Sequence, residues 1–149
     1  MATALLPKDF KEFLKLLGSK RVKYLLIGGY AVGYHGFPRA TADMDIWIAL
    51  NPQNATKAME ALKTFGFGQE ELTAELFQKK DQIIRMGRPP FRIEVLTGIS
   101  GVEFEACYKR RVVDTIDGVK INIINLQDLK RNKKASGRHK DLEDLQHLP

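Results

Sequence analysis

Residues that staple, chelate or oxidise are scarce in this sequence: its 149 residues hold one cysteine, three histidines and one tryptophan. Cys107 has no partner for an internal disulfide, and Phe104 and Tyr108 beside it mark a packed helix and an inert core thiol rather than a reactive one. His35 has no second histidine or cysteine at metal-ligand spacing, and His139 and His147 supply no nucleophile set, which argues against zinc and against histidine-dependent hydrolysis. Long hydrophobic runs are missing as well. No stretch approaches the roughly 18 uninterrupted apolar residues of a membrane-spanning helix, so no membrane partner is expected. The run Ala4-Leu5-Leu6 is too short for a signal-peptide core and is cut off by Lys8, so a cytoplasmic location is expected. With no repeat, low-complexity tract or linker, one domain over residues 1–149 is the expected organisation.

What is present is an ordinary globular balance with a basic tilt. Hydrophobic residues make up 44% of the chain and charged residues 28%, so neither disorder nor a fibrous repeat is indicated. The 24 Lys and Arg against 18 Asp and Glu leave a net charge of +6. Such an excess attracts polyanions, from nucleotide phosphates to nucleic acid, without choosing among them.

Periodicity divides the chain into alternating helices and strands. Phe10, Phe13, Leu14, Leu16 and Leu17 after Pro7 predict an opening amphipathic helix that Gly18 can end. Val22 to Ile27 reads as a short buried strand stopped by Gly28-Gly29, with a helix beginning near Tyr30. A strand from Asp43 to Leu50 follows. Asn51 and Pro52 then supply the cap and first-turn proline of a helix carrying Ala55, Met59, Leu62 and Phe65. Gln82 to Met86 and Phe91 to Leu96 predict a hairpin turned by Gly87-Arg88-Pro89-Pro90, and Val112 to Ile116 and Val119 to Ile124 predict another turned by Asp117-Gly118. Helices from Leu126 to about Ser136 and from about His139 to Leu148 complete the pattern. The economical architecture is α/β (α+β), a mixed β-sheet flanked by helices with a short C-terminal helical tail.

Three features carry chemistry. Gly28-Gly29 at a strand-to-helix turn would let backbone amides approach phosphate oxygens, although glycines also end strands for conformational reasons alone. Asp43 and Asp45, two apart on a strand, project to one side and can converge on a cation; a solvent-facing pair of acids is the bland alternative. Glu94 interrupts the apolar strand Phe91-Arg92-Ile93-Glu94-Val95-Leu96 and faces opposite Ile93 and Val95. If that strand adjoins the one bearing the aspartates, three carboxylates could hold two metal ions for phosphoryl displacement; otherwise Glu94 is an edge acid paired with Arg92 or a neighbour. Trp47 shares the face of Asp43 and Asp45, where packing beneath a helix is favoured over stacking on a base.

The combination resembles the DNA polymerase beta-type nucleotidyltransferase superfamily, whose hallmark is a Gly-Gly or Gly-Ser turn, a downstream Asp-x-Asp pair and a later strand acid. More narrowly, Gly28-Gly29-Tyr30-Ala31-Val32 through His35-Gly36, with Arg39-Ala40-Thr41-Ala42-Asp43, is similar to a small stand-alone branch holding aminoglycoside- and lincosamide-type transferases and abortive-infection toxins. The ending is similar too, in Asp128-Leu129-Lys130-Arg131-Asn132-Lys133, Ala135-Ser136-Gly137-Arg138 and Lys140-Asp141-Leu142-Glu143-Asp144. The resemblance implies a nucleotidyltransferase fold and an enzyme that moves a nucleoside monophosphate from a nucleoside triphosphate, such as ATP, to an acceptor hydroxyl, releasing pyrophosphate. It implies Asp43, Asp45 and Glu94 as catalytic and metal-binding residues for two Mg2+ ions, with Mn2+ as substitute. It places Gly28, Gly29, Arg39, Thr41 and Lys133 around the nucleotide, with Lys134 as the neighbouring candidate. For Arg39 a surface cation or a salt bridge to a site acid competes with a phosphate contact, and Thr41 is expected to shape the approach to Asp43. Arg138 and Asp141 are expected to brace the helix junction.

The acceptor, whether small molecule, protein side chain or RNA end, stays open, and specificity could come from a homodimer or a partner protein. Two competing readings follow the same residues. One is a catalytically silent nucleotide-binding regulator of toxin–antitoxin type. The other is a nucleic-acid-binding module using Lys130, Arg131, Lys133, Lys134, Arg138 and Lys140, for which a solvated helical face is the commoner explanation. A metal-dependent sugar transferase is disfavoured by the short chain and the upstream glycine pair.

Overall fold

The computed structural model describes residues 6–67, 72–88 and 90–149. The chain opens with α1 (Lys8–Ser19), β1 (Tyr24–Ile27) and α2 (Gly28–Tyr34), then β2 (Asp43–Ile48) and α3 (Pro52–Phe65). A short 3-10 turn at Leu76–Gln78 precedes β3 (Ile83–Arg88), β4 (Phe91–Leu96) and α4 (Phe104–Lys109). Strands β5 (Val112–Ile116) and β6 (Val119–Ile123) and helices α5 (Leu126–Ser136) and α6 (His139–His147) follow. The strands form one six-stranded sheet in the order β3-β4-β2-β1-β6-β5. It is mixed: β2 runs parallel to β4 and β1 parallel to β6, while the other neighbours are antiparallel.

Local chemistry explains most boundaries. Asn51 caps α3 by accepting from the Asn54 amide at 2.8 Å, with Pro52 in the first turn and Gly66 closing the helix in the left-handed conformation. Asn125 caps α5 in the same way, accepting from the Asp128 amide at 2.8 Å. The Asp117-Gly118 turn takes φ of 51° and 78°, the positive pair that a two-residue hairpin needs. The first hairpin is tighter than its sequence suggests. Gly87, at φ 84°, and Arg88 stay in β3, and Arg88 pairs with Phe91, so neither belongs to the turn; Pro89 lies outside the described residues. Helix α2 also starts earlier than expected, at Gly28 itself.

The two faces of β2 set the architecture. Met44, Ile46 and Ile48 are buried on one face, alongside Ile93 and Val95 of β4. Helices α1 and α3 cover that face, where Phe10 meets Phe91 edge-on at 6.0 Å and Phe13 meets Phe65 at 5.3 Å. The other face carries Asp43, Asp45 and Trp47. Helix α4 covers only its Trp47 end, through an edge-on contact of Trp47 with Phe104 at 5.1 Å. Trp47 is 2% exposed, which removes it from any base-stacking role; it packs beneath a helix. No described helix is long and apolar enough to cross a membrane.

Candidate active site

Parallel pairing of β2 with β4 brings acids from distant parts of the chain side by side. The register sets Asp43 opposite Arg92 and Asp45 opposite Glu94, and β3 adds Arg85 opposite Glu94. On the other side of β2, Ile27 of β1 pairs with Asp45, so the glycines that follow Ile27 arrive at the same end of the sheet. Glu94 is therefore not on an edge strand, and the guanidinium it meets is Arg85, at 3.2 Å. Arg92 instead grips Asp43 with two bonds, Nε to Oδ1 at 3.0 Å and Nη2 to Oδ2 at 2.8 Å.

These partners divide the three acids. The Arg92 fork holds the Asp43 carboxyl below the usual carboxylate range. Glu94 is raised, first by burial and then by a hydrogen bond shared with Asp43. Asp45 has no such partner among the described residues. Burial pushes it up to about 7, the charges of Glu94 and Asp43 add to the rise, and Lys133 and Arg138 only partly offset it. The floor of the site thus holds one acid that burial, with two further acids beside it, keeps partly protonated near neutral pH.

The glycine pair serves this arrangement by absence of bulk. A methyl at Gly28 would sit 2.1 Å from Asp45 Oδ2, and one at Gly29 would sit 2.7 Å from Thr41 Oγ1. The close approach those glycines permit is to the protein's own side chains, and φ of 67° at Gly28 further favours glycine. Thr41 in turn donates to the Asp43 carbonyl at 3.2 Å, holding the entry to β2.

The third wall comes from the last two helices. Lys133 of α5 is buried, and its ammonium bonds Asp141 Oδ1 and Asp144 Oδ2, both at 3.1 Å. Arg39 reaches Asp144 with a two-pronged contact at 2.8 and 2.9 Å, which is the salt-bridge alternative raised for it, although the acid belongs to α6. Arg138 reaches Asp141 at 2.8 Å, and Ser136 donates to the same carboxyl at 2.6 Å, bracing the α5–α6 junction as expected. These bonds hold Asp141 and Asp144 below the ordinary range despite their burial. The expectation put Lys133 beside phosphates. The fold places it on the wall of the site, facing Asp45, with its donors directed at two aspartates.

A cleft of about 210 Å³ lies between these walls, and Gly29, Arg39, Thr41, Asp43, Asp45, Glu94 and Lys133 all line it; Gly28 lies behind Asp45. A second depression of about 480 Å³ adjoins across Asp45, Glu94 and Arg138 and runs to Ser100 and Asn132. A larger cavity, about 730 Å³, lies between α1, the end of α3 and the β3–β4 hairpin and contains none of the three acids. Charge, not volume, marks the site. Arg138 and Lys140 reach its mouth exposed, and sequence reasoning did not mark them, or Arg85 and Arg92, as cleft residues. Arg92 was recoverable, since a residue two before Glu94 on a strand must share its face.

As a metal centre the arrangement is mixed. Three hard oxygen donors of net negative charge suit Mg2+, and the near-neutral Asp45 is the group a cation would ionise. Yet among the described residues no set of three or more acidic, histidine or cysteine side chains is arranged to hold an ion, and Arg92 and Arg85 pair with Asp43 and Glu94.

No family model and no curated protein matches the chain. Solved structures do. A candidate nucleotidyltransferase from Thermotoga maritima superposes with a TM-score of 0.60 at 14% identity, over 98% of this chain and 96% of that one. An antigenic nucleotidyltransferase-like protein from Paracoccidioides brasiliensis superposes with a TM-score of 0.54 at 21% identity, over 97% of this chain and 77% of that one. At these identities the likeness concerns backbone architecture, and on that ground the chain has the nucleotidyltransferase fold.

Proposed function

We propose that this protein is a magnesium-dependent nucleotidyltransferase whose reacting centre is the Asp43–Asp45–Glu94 floor of the cleft. The observation that carries the reading is the β2–β4 register, which sets Asp45 directly beside Glu94 and next to the strand end that bears the glycine pair. Asp43, Asp45 and Glu94 would hold the metal ions, which when bound supply charge neutralisation at the transferring phosphoryl group. The chain's own contribution is position and charge. Lys133 and Arg138 face Asp45 and bias the floor toward accepting a phosphate chain. Lys140, exposed at the mouth and in no salt bridge among the described residues, is placed to meet the outer phosphates of a nucleoside triphosphate. Glu94, beside Asp45 at the open end of the floor, would orient or deprotonate the acceptor hydroxyl. The acceptor would enter through the depression toward Ser100 and Asn132.

The test offers labelled triphosphates and Mg2+ with aminoglycoside, protein and RNA acceptors to the intact chain and to the pair Asp43→Asn, Asp45→Asn. Transfer should fall by roughly 10³-fold or more in the double variant. Titration of Mn2+ followed by its paramagnetic resonance gives a readout independent of turnover: binding to the intact chain and none to the variant. Transfer that persists in the double variant sinks the proposal.

One observation favours a second reading, a nucleotide-binding regulator without turnover: the arginine forks that neutralise Asp43 and Glu94. Under that reading the intact chain binds triphosphate without Mn2+ and transfers nothing. The nucleic-acid module built on the last helices fares less well, since Arg131, Lys133 and Arg138 are tied to aspartates and Lys130 to the Pro149 carbonyl.

A further inference from the structure

At the opposite end of β1 from the acids lies a cleft of about 590 Å³ between α1, the start of β1, α4 and the β5–β6 hairpin. Its walls carry Lys15, Arg21, Lys23, Arg111 and Lys120, and among the described residues no aspartate or glutamate lines it. None of these five cations lies within salt-bridge distance of a carboxylate among the described residues, whereas Arg39, Arg85, Arg92, Lys133 and Arg138 at the acid end all do. Lys15, Arg21, Lys23 and Lys120 are exposed. A concentration of positive charge along a concave wall focuses the field on an anion.

Two of the cations are also held in place, Lys23 by its backbone and Arg111 by its side chain. Asn54, buried in α3, accepts from the Lys23 amide at 2.7 Å and donates to the Lys23 carbonyl at 3.0 Å, fixing the residue's backbone. Arg111 lies 4.0 Å over the Tyr108 ring and donates to the Tyr108 carbonyl at 2.9 Å, and Lys23 approaches the same ring at 5.5 Å. Arg21 adopts a left-handed φ of 59°, a conformation non-glycine residues avoid.

We propose that this cleft binds the phosphodiester backbone of single-stranded nucleic acid. Five cations along one groove match a repeating anion better than an isolated one. A peptide partner is disfavoured, because β5 pairs with β6 along its length, the Asn122 amide on the cleft side already donates to the Tyr24 hydroxyl at 3.2 Å, and Leu14, Val22 and Val119 in the lining are buried. Tyr108 already has Phe104 stacked on it at 5.4 Å and Arg111 over its ring, so it offers no platform for a base, and recognition follows phosphates rather than sequence. The proposal does not depend on turnover at the carboxylate cleft.

The experiment measures anisotropy of a labelled 12-nucleotide oligouridylate with the full chain between 50 and 200 mM salt. Three to five single-strand phosphate contacts predict a slope of log affinity against log salt of about −2 to −4. The triple variant Arg21→Glu, Lys23→Glu, Lys120→Glu should bind at least about tenfold more weakly, with a slope smaller by about 2. A charge-matched triple on α3 and the following loop, Lys57→Glu, Lys63→Glu, Lys79→Glu, should stay within about threefold of wild type. Melting curves accompany each variant; if the cleft triple does not fold, Lys23→Gln with Lys120→Gln replaces it and should still lose about threefold. Equal losses in the two triples overturn the proposal, as does no binding by wild type. Poly-glutamate binding as tightly as oligouridylate also overturns it, as does a loss confined to Lys134→Glu with Lys140→Glu.

Discussion

Strand β1 joins two ends of the molecule that handle charge in opposite ways. At Ile27 it abuts Asp45 and a cluster in which Arg39, Arg85, Arg92, Lys133 and Arg138 are each tied to a carboxylate. Just before its start, at Lys23, lies a cleft whose five cations form no salt bridge among the described residues. The difference follows from water. Lys133, Asp141 and Asp144 are buried and must be paired, because an isolated charge there would cost several kcal/mol, while Lys23 and Lys120 are solvated and need no partner. Pairing therefore marks structure, and its absence marks availability. On that criterion Asp45 at one end and the unpaired cations at the other are the groups left over for a ligand.

The sharpest way to break the comparison is to orphan a buried charge at the acid end. Lys133→Met leaves buried Asp141 to Arg138 and Ser136 and buried Asp144 to Arg39, and the loss should reach about 3–5 kcal/mol, lowering the melting temperature by roughly 10 °C. Lys120→Met at the other end removes a solvated charge, and calorimetry should find it within about 0.5 kcal/mol of wild type. Comparable losses in the two variants would dissolve the distinction.

Asp45 gives the next largest effect, through pH. Its folded value of about 7 lies above the ordinary 3.8, so the folded chain holds this proton more tightly than the unfolded one, and unfolding releases it. The contribution to stability is present in full below about pH 4 and is lost as pH rises through 7. At 1.36 kcal/mol per pH unit the span is about 4 kcal/mol at most, and side-chain relaxation and water reduce it. Asp45→Asn should remove this slope and melt higher than wild type at pH 8 in the presence of a chelator. A wild-type melting temperature that does not fall between pH 5 and 8 relative to Asp45→Asn would show that Asp45 ionises freely.

Much of this was legible from spacing. Period-2 alternation put Asp43 and Asp45 on one face of β2 and Glu94 opposite Ile93 and Val95, and the Asn51-Pro52 and Asp117-Gly118 signals located a helix start and a hairpin. What spacing cannot give is adjacency between strands 49 residues apart, and the Asp43–Arg92 fork depends on it. A sequence shows that Lys133 and Asp141 lie 8 residues apart, but not that a helical corner buries them together. The basic cleft was invisible for the same reason: Lys15, Lys23, Arg111 and Lys120 come from four separate elements, and along the chain each looks like a solvated surface charge.

The smallest effect tests whether the two ends are independent. Trp47, on the acid-bearing strand, meets Phe104, which stacks on Tyr108, whose ring lies under Arg111 of the basic cleft. Trp47 is fully packed, yet its Nε1 has no hydrogen-bond partner among the described residues, so the indole brings an unsatisfied donor into the core along with its apolar area. Trp47→Phe removes that donor and leaves a small void, two terms of about 1–2 kcal/mol that oppose each other, so net stability should move by less than about 1 kcal/mol. Because Trp47 is the sole tryptophan, its fluorescence reports on this aromatic row without a label. Adding oligouridylate should leave the emission of wild type unchanged if the ends act separately. A shift in emission that disappears in the Arg21→Glu, Lys23→Glu, Lys120→Glu variant would show that occupancy of the basic cleft is felt at the strand that carries Asp45, and the two ends would then have to be treated as one site.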